Sequence, residues 1–86
     1  MGSWKLYILR CGDGSLYTGI TTDVEKRLEQ HRSGKGAKYT RGRGPLELVY
    51  SEDCDDHSAA LKREIQIKTL SREEKQKLID SKTPKI

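Results

Sequence analysis

Long apolar stretches are absent from this 86-residue sequence, which has no phenylalanine, one tryptophan and two prolines. No apolar run approaches the roughly 20 residues that a transmembrane helix needs, and the N-terminus lacks the apolar segment of a signal peptide. We therefore expect a cytoplasmic protein. Hydrophobic residues make up only 33% of the chain, which is enough for one small core and predicts a single domain.

Cysteine is also scarce. Cys11 and Cys54 are isolated in the sequence, and in a protein that is not secreted they are expected to be reduced thiols. The alternative is a zinc site that combines them with His31 and His57. No pair of these residues has the short C-x-x-C or H-x-x-x-H spacing that prepares such a site, so the alternative is disfavoured.

The positive charges are concentrated in one part of the chain. The net charge is +4, and residues 26–43 carry seven cations against the single acid Glu29. Such a segment predicts contacts with nucleic-acid phosphates, whereas the plain alternative is a solvated loop. The residues expected to bind nucleic acid are Lys35, Lys38, Tyr39, Arg41 and Arg43. The ring of Tyr39 could stack on a base, or it could equally pack onto the small core.

Hydrophobic periodicity predicts an α+β fold with the element order β-β-α-β-α-α. Strands are expected at residues 4–10, 16–20 and 46–50, forming a three-stranded antiparallel sheet flanked by helices. Helices are expected from residue 22 or 23 to about 33, from 55, 56 or 58 to about 70, and from 71 to about 80. The domain would then span residues 1–80, with a frayed tail at 81–86.

The third strand is predicted to alternate strictly and to end in an acidic turn at residues 51–56. The faces of this strand would be Leu46, Leu48 and Tyr50 on one side, and Glu47 and Val49 on the other.

Four polar side chains should meet between the first hairpin and the first helix. Tyr7 and Tyr17 lie on paired strands, where they can share a proton network. Arg27 and His31 are spaced i and i+4 on the helix, so they share the side that faces the core. Polar groups belong there when something polar must be held. A structural role for His31 is the alternative.

Glu64 is the most informative carboxylate. Its neighbours at helical spacing are mostly apolar: Ala60, Leu61, Ile67 and Lys68. We therefore expect Glu64 within an apolar stripe, where a carboxylate is costly unless it is paired or binds a metal ion. A structural ion pair with Lys68 or Arg27 is the alternative.

The stretch from residue 5 to 31 resembles the GIY-YIG nuclease domain. Tyr17, Thr18 and Gly19 correspond to the YIG tripeptide, with threonine in place of isoleucine. In the GIY tripeptide only Tyr7 is kept, and Lys5 replaces the glycine. The whole chain resembles the short single-domain members, also in the segments GAKYT, RGRGPLELVY and REIQIKTLSREEK. Lys5 could point to solvent or add a positive charge near the site.

The resemblance implies an endonuclease that hydrolyses DNA phosphodiester bonds with Mg²⁺ or Mn²⁺. Arg27 matches the family's arginine and would bind the phosphate, and REIQIK aligns with the segment that holds the family's metal-binding glutamate, here Glu64. A tyrosine would act as the base; we favour Tyr7, with Tyr17 holding it or the water. A nearby arginine and a divalent ion both favour a phenolate. His31 could assist proton transfer.

Low sequence specificity, a role in DNA repair or processing, and a monomer are expected. Branched DNA, single-stranded DNA and RNA stay open as substrates. A second possibility is a nucleic-acid-binding module that keeps the fold and cleaves little, since Lys5 and Thr18 depart from the motif. A third and weaker one is a protein-interaction domain that uses residues 47–56, which carry five acids and no cation.

Overall fold

The computed structural model describes residues 4–36 and 40–82. The elements, in chain order, are β1 (Trp4–Arg10), β2 (Leu16–Thr21), α1 (Val24–Arg32), β3 (Glu47–Cys54), α2 (His57–Lys68) and α3 (Arg72–Lys82). The predicted α+β class and the order β-β-α-β-α-α are confirmed. The predicted fraying of the tail falls mostly outside the described residues, and α3 continues past its expected end at residue 80.

The sheet is antiparallel with strand order β2-β1-β3, so β1 is the central strand. In the register of β1 and β2, Tyr7 lies directly opposite Gly19 and Leu9 opposite Tyr17. Directly opposed residues of an antiparallel pair share a face of the sheet. Tyr7, Leu9, Tyr17 and Gly19 therefore lie on one face, and this face holds the candidate site.

Each helix begins with a side chain that satisfies a free backbone amide. Asp23 accepts from the amide of Lys26 at the start of α1, and Asp56 accepts from the amide of Ala59 at the start of α2. At α3 the two side chains of a capping box both engage, because Ser71 accepts from the Glu74 amide at 3.2 Å and Glu74 accepts from the Ser71 amide at 2.9 Å. The capping signals thus fixed the helix starts from sequence to within a residue or two.

β3 is longer than the sequence predicts, because it includes residues 51–54 of the expected acidic turn. These residues pair with β1, and two of their acids have side-chain partners on neighbouring elements. Asp53 pairs with Lys5 at 2.5 Å, and Glu52 accepts from the Tyr50 hydroxyl at 2.6 Å and from Arg63. The turn prediction is wrong for residues 51–54, since pairing within the sheet outweighs the low strand propensity of acids.

A bulge interrupts the alternation of β3. Ile8 pairs with Tyr50 and Leu9 pairs with Leu48, so Val49 is an extra residue opposite β1. Val49 packs against the core, while Leu48 is 38% exposed. The expected grouping of Leu48 with Tyr50 on one face is therefore wrong, because the bulge turns Leu48 outward.

The sheet has buried side chains on both faces. On one face Leu6 and Ile8 form the main core with residues of β3, α2 and α3: Tyr50, Cys54, Ala60, Ile67 and Ile79. On the other face Tyr7 and Leu9 are also fully buried, and Tyr7 contacts His31 of α1. Within the described ranges, no helix combines the length and apolar composition needed to cross a membrane.

Candidate active site

Tyr7 lies at the centre of the polar cluster. Its side chain is buried, with 1% of the residue exposed, and its hydroxyl lies 2.8 Å from Nε2 of His31. The register places it over the backbone of Gly19, where a Cβ atom would be 2.6 Å from the tyrosine hydroxyl. Gly19 is thus required because any side chain would displace the Tyr7 ring, which gives the glycine of the YIG motif a physical reason.

His31 is held on three sides. It is 2% exposed, Nε2 faces Tyr7, and Nδ1 lies 2.9 Å from Oγ1 of Thr40. Gly36 packs so closely on the ring that a Cβ atom there would lie 2.3 Å from Nδ1. Burial, followed by the positive charge of Arg27, lowers the pKa of His31 from 6.5. The imidazole is therefore neutral at neutral pH, and one of its nitrogens is a proton acceptor.

The protonation of Tyr7 is set by opposing effects. Burial raises its pKa to about 12, hydrogen bonding by Arg27 opposes that increase, and the charges of Tyr17 and Glu64 add to it. Arg27 favours the phenolate, as expected, but burial outweighs it. Tyr7 is consequently a neutral phenol at neutral pH, and because it keeps its proton it is a poor base by itself.

Tyr17 and Arg27 flank this pair. The Tyr17 ring is partly exposed and lies edge-on to His31, with centroids 5.2 Å apart, and 6.3 Å from the Tyr7 ring. Arg27 is partly buried, donates from Nη1 to Oε1 of Gln30 at 3.0 Å, and acts on both Tyr7 and His31. The structure thus brings together the four residues that the sequence places between the hairpin and α1.

Glu64 lies on α2. Its negative charge makes a small contribution to the raised pKa of Tyr7, after burial and the effects of Arg27 and Tyr17. The Glu64 side chain is 19% exposed and pairs with Lys68 at 3.3 Å, as the structural alternative anticipated. The predicted apolar stripe is only partly buried, because Leu61 and Ile65 are 39% and 63% exposed. Glu64 therefore lies at the edge of the core, within reach of solvent.

The donor chemistry for a metal ion is sparse. Among the described residues no three His, Cys, Asp or Glu side chains converge, so the zinc alternative has no support. Mg²⁺ accepts a single carboxylate when waters and substrate phosphate oxygens complete its coordination. Glu64 fits that role because it is a hard oxygen donor at the edge of the core and its Lys68 partner is itself 53% exposed.

The basic segment, residues 26–43, includes His31 and continues beyond the end of α1. Lys35 and Arg41 are exposed, and Arg41 donates from Nε to the Gly34 carbonyl at 3.1 Å. Arg43 pairs with Asp13 of the β1–β2 turn at 2.5 Å, so part of its charge is neutralised. Lys38 and Tyr39 lie outside the described residues.

A cavity of about 140 Å³ lies between the end of α1 and the residues that follow it. Its lining includes His31, Thr40, Arg32 and Arg41. Arg32, which the sequence did not single out, is fixed there by donating to the Leu46 carbonyl at 3.2 Å. It belongs to the cation cluster that predicted nucleic-acid binding, and that cluster is the only signal that could have identified it.

The two departures from the motif, Lys5 and Thr18, have different surroundings. Lys5 lies two residues before Tyr7 on β1, and its ammonium pairs with Asp53 of β3. Thr18 lies opposite Ile8 on the core face of the sheet and is 3% exposed. Neither departure removes a group from the site.

The chain is a small α+β protein whose sequence matches a family of nucleases. Residues 3–78 match the family described as the GIY-YIG catalytic domain. The chain belongs to the GIY-YIG family. Within it, the chain is similar to a UPF0213 protein of Haloquadratum walsbyi, with 56% identity over 91% of this chain and 88% of that protein. A UPF0213 protein of Staphylococcus saprophyticus is 58% identical over 92% of this chain and 96% of that one.

Solved structures agree with the fold. The solution NMR structure of a UPF0213 protein from Bacillus halodurans has a TM-score of 0.61 and 51% identity, covering 92% of this chain and 84% of that one. The solution NMR structure of a protein from E. faecalis has a TM-score of 0.65 and 40% identity. The match covers 94% of this chain and 86% of that one.

Proposed function

We propose that the protein is a divalent-metal-dependent endonuclease that hydrolyses DNA phosphodiester bonds with low sequence specificity. The observation that carries this proposal is the buried hydrogen bond of 2.8 Å between Tyr7 and His31, with the charge of Arg27 acting on both residues. Membership of a family described as a catalytic domain supports it. We place the enzyme, acting as a monomer, in cytoplasmic DNA repair or processing.

Tyr7 and His31 together supply the base that neither supplies alone. A phenol with a pKa of about 12 keeps its proton at neutral pH, so it cannot accept one from water by itself. Its hydroxyl, however, can donate its proton to the neutral Nε2 of His31 while the oxygen takes a proton from the attacking water. The proton from water then stays on Tyr7, which ends as a neutral phenol again, and the imidazole carries the proton that Tyr7 gave up.

Arg27 and Tyr17 bind and orient the phosphate. The guanidinium of Arg27 presents a planar fork of donors that matches two phosphate oxygens and balances the charge that builds on them. The Tyr17 ring borders Tyr7 and His31, so it limits where the water and the phosphate can lie.

Glu64 would hold the divalent ion, Mg²⁺ or Mn²⁺, in place of its present Lys68 partner. When bound, the ion supplies charge neutralisation for the phosphate and its leaving oxygen. Lys68, once released, remains available to a neighbouring phosphate because more than half of its side chain is exposed.

A nucleic-acid-binding module with little cleavage is the second candidate. The observation in its favour is that Glu64 is already paired with Lys68 and that no three metal-ligating side chains converge in the described part of the chain. In that case the basic segment would bind the backbone and the polar cluster would only stabilise the fold.

A nicking assay on supercoiled plasmid separates the two. The wild-type protein is incubated with Mg²⁺, with Mn²⁺ or with EDTA, and a Glu64→Gln variant purified in the same way controls for contaminating nucleases. We expect metal-dependent nicks that the variant does not produce. Equal nicking by both proteins, or none by the wild type despite binding to a labelled duplex, would contradict the enzymatic assignment. Branched DNA, single-stranded DNA and RNA of the same sequence define the preferred substrate.

A further inference from the structure

The buried hydrogen-bonded chain does not end at His31. Thr40 is 2% exposed, and its Oγ1 lies 2.9 Å from Nδ1, on the side of the ring opposite Tyr7. Thr40 begins a turn in which its carbonyl accepts from the Arg43 amide at 3.2 Å. The backbone at Thr40 is therefore held within a turn of the basic segment.

The partner of Nδ1 decides what Nε2 can do. A neutral imidazole carries one N–H and one lone pair, and the hydrogen bond at one nitrogen selects the tautomer available at the other. A relay from Tyr7 requires the lone pair on Nε2, which in turn requires the proton on Nδ1. A proton on Nδ1 needs an acceptor, because a buried donor without one costs free energy.

We propose that Thr40 is a positioning residue whose hydroxyl oxygen accepts the Nδ1–H of His31 and so holds Nε2 as the acceptor for the Tyr7 proton. This inference rests on the proposed nuclease function and names a residue through which that site is organised. Thr40 touches neither substrate nor metal in this role. It acts by fixing the tautomer and the orientation of the imidazole.

The packing around the ring supports this assignment. Gly36 lies against Nδ1 so closely that no side chain fits there, and the absence of one leaves the Thr40 hydroxyl room to approach this nitrogen. When Tyr7 passes its proton to Nε2, the imidazolium that forms keeps its Nδ1–H bond to Thr40. The same hydrogen bond thus serves both protonation states of His31, and no reorganisation is needed during the reaction.

Nitrogen NMR tests the tautomer without any activity. The protein has two histidines, so labelling with ¹⁵N-histidine gives two rings, and His31→Asn assigns them. At neutral pH we expect the Nδ1–H tautomer for His31. A wild-type ring that carries its proton on Nε2 overturns the proposal at once, whatever the activity or the behaviour of any variant.

Three threonine variants extend the test. Thr40→Val keeps the shape and removes the acceptor, so the Nδ1–H tautomer should be lost and the maximal nicking rate should fall about 10- to 100-fold, as when partners that orient other functional histidines are removed. Thr40→Ser restores the hydroxyl and should recover both the Nδ1–H tautomer and the nicking rate. Thr18→Val is the matched control, because Thr18 is equally buried but lies on the opposite face of the sheet.

The outcomes distinguish the two proposals. If the wild type does not nick DNA but shows the expected tautomer, and Thr40→Val loses it, the nuclease assignment fails and the role of Thr40 in fixing His31 stands. If Thr40→Val retains the tautomer and the wild-type nicking rate, Thr40 has no positioning role. If Thr40→Val does not fold, Thr40→Ser and the wild-type spectrum still decide the question, since a serine variant with the other tautomer contradicts it.

Discussion

The Tyr7 hydroxyl and Nε2 of His31 lie 2.8 Å apart although 24 residues separate them in the chain. The contact joins the central strand to α1 through a polar bond in a buried place. Such a bond contributes little net stability compared with an apolar contact of the same area, and it leaves costly unpaired groups if either partner is lost. Its presence at the centre of the cluster is better explained by proton transfer than by folding alone.

Tyr7→Phe and Arg27→Ala should each lower the nicking rate by on the order of 10²-fold, by analogy with the loss of a general base or of a charge-stabilising donor. Tyr7→Phe keeps the ring over Gly19, so packing should barely change. If both residues act on one phosphate, the double variant should be little slower than the slower single variant. The measurement is the single-turnover nicking rate of all four proteins.

Tyr50→Phe is the matched control for the tyrosine. Tyr50 is also buried, but its hydroxyl donates to Glu52 on the other side of the sheet. A Tyr7→Phe protein that nicks as fast as the wild type would exclude the tyrosine relay and direct attention to Tyr17 and His31.

Glu64→Gln should abolish metal-dependent nicking while the fold is kept. The present partner, Lys68, is 53% exposed, so it is not left buried and unpaired when the charge is removed. The loss of unfolding free energy should therefore be about 0.3–0.5 kcal/mol, as for an exposed helical pair, and not the 3–5 kcal/mol of a broken buried pair. Thermal melts measure this difference. Glu73→Gln on α3 controls for the loss of one negative charge. A large drop in melting temperature for Glu64→Gln, without a similar drop for Glu73→Gln, would assign Glu64 a structural role.

DNA binding should be mainly electrostatic, because the cations are clustered and no helix in the described part of the chain presents an evident base-reading surface. Affinity for a labelled duplex should fall steeply between about 50 and 200 mM salt, as counterion release requires. Arg41→Ala should reduce the slope of the logarithm of the binding constant against the logarithm of the salt concentration by about one, as expected for the loss of one phosphate contact. Arg43→Ala should reduce it less, because Arg43 is paired with Asp13. Binding that does not respond to salt would contradict the role of this segment.

Thr18→Val should raise the melting temperature. Thr18 is 3% exposed, and its hydroxyl finds no hydrogen-bond partner among the described residues. A buried hydroxyl of this kind costs about 1–3 kcal/mol, and in a domain of this size each 1 kcal/mol corresponds to roughly 4–8 °C. Thr69→Val is the contrast, because Thr69 donates to the Gln66 carbonyl at 2.6 Å and should lose stability. A lower melting temperature for Thr18→Val would mean that the hydroxyl is satisfied.

Acidification should destabilise the protein through His31. The folded state lowers the pKa of this residue from 6.5, so the unfolded chain binds the proton more tightly. The contribution of His31 is therefore present above pH 6.5 and is lost as the pH falls below that value, and nicking should decline in the same direction as Nε2 becomes protonated. Melting temperatures between about pH 8 and 5, compared with His31→Asn, isolate this residue. His57→Asn, at the exposed start of α2, is the control for the loss of a histidine.

Local patterns account for most of the fold. Alternation in β1, the glycine turn and the capping side chains of the helices are short-range signals, and each led to an element at the expected place. The i, i+4 spacing of Arg27 and His31 likewise placed two site residues on one side of α1. Positions that depend only on neighbouring residues are the ones that a sequence can predict.

The remainder depends on contacts across the chain. The bulge at Val49 arises from pairing with β1, and the strand character of residues 51–54 arises from partners such as Lys5 and Arg63. Thr40 enters the site only because the segment after α1 folds back over His31. The raised pKa of Tyr7 reflects its burial, which depends on distant parts of the chain and cannot be predicted from the neighbouring residues.

The close approach of Gly19 to Tyr7 offers a way to trap a complex with intact DNA. Gly19 has an ordinary strand backbone, so its replacement by alanine leaves the main chain unstrained and removes no functional group. The added methyl group would nevertheless lie 2.6 Å from the present position of the Tyr7 hydroxyl and force that atom away from His31. A Gly19→Ala protein should bind DNA through its exposed cations, such as Lys35 and Arg41, and hold it uncleaved, which would make it well suited to crystallisation with substrate.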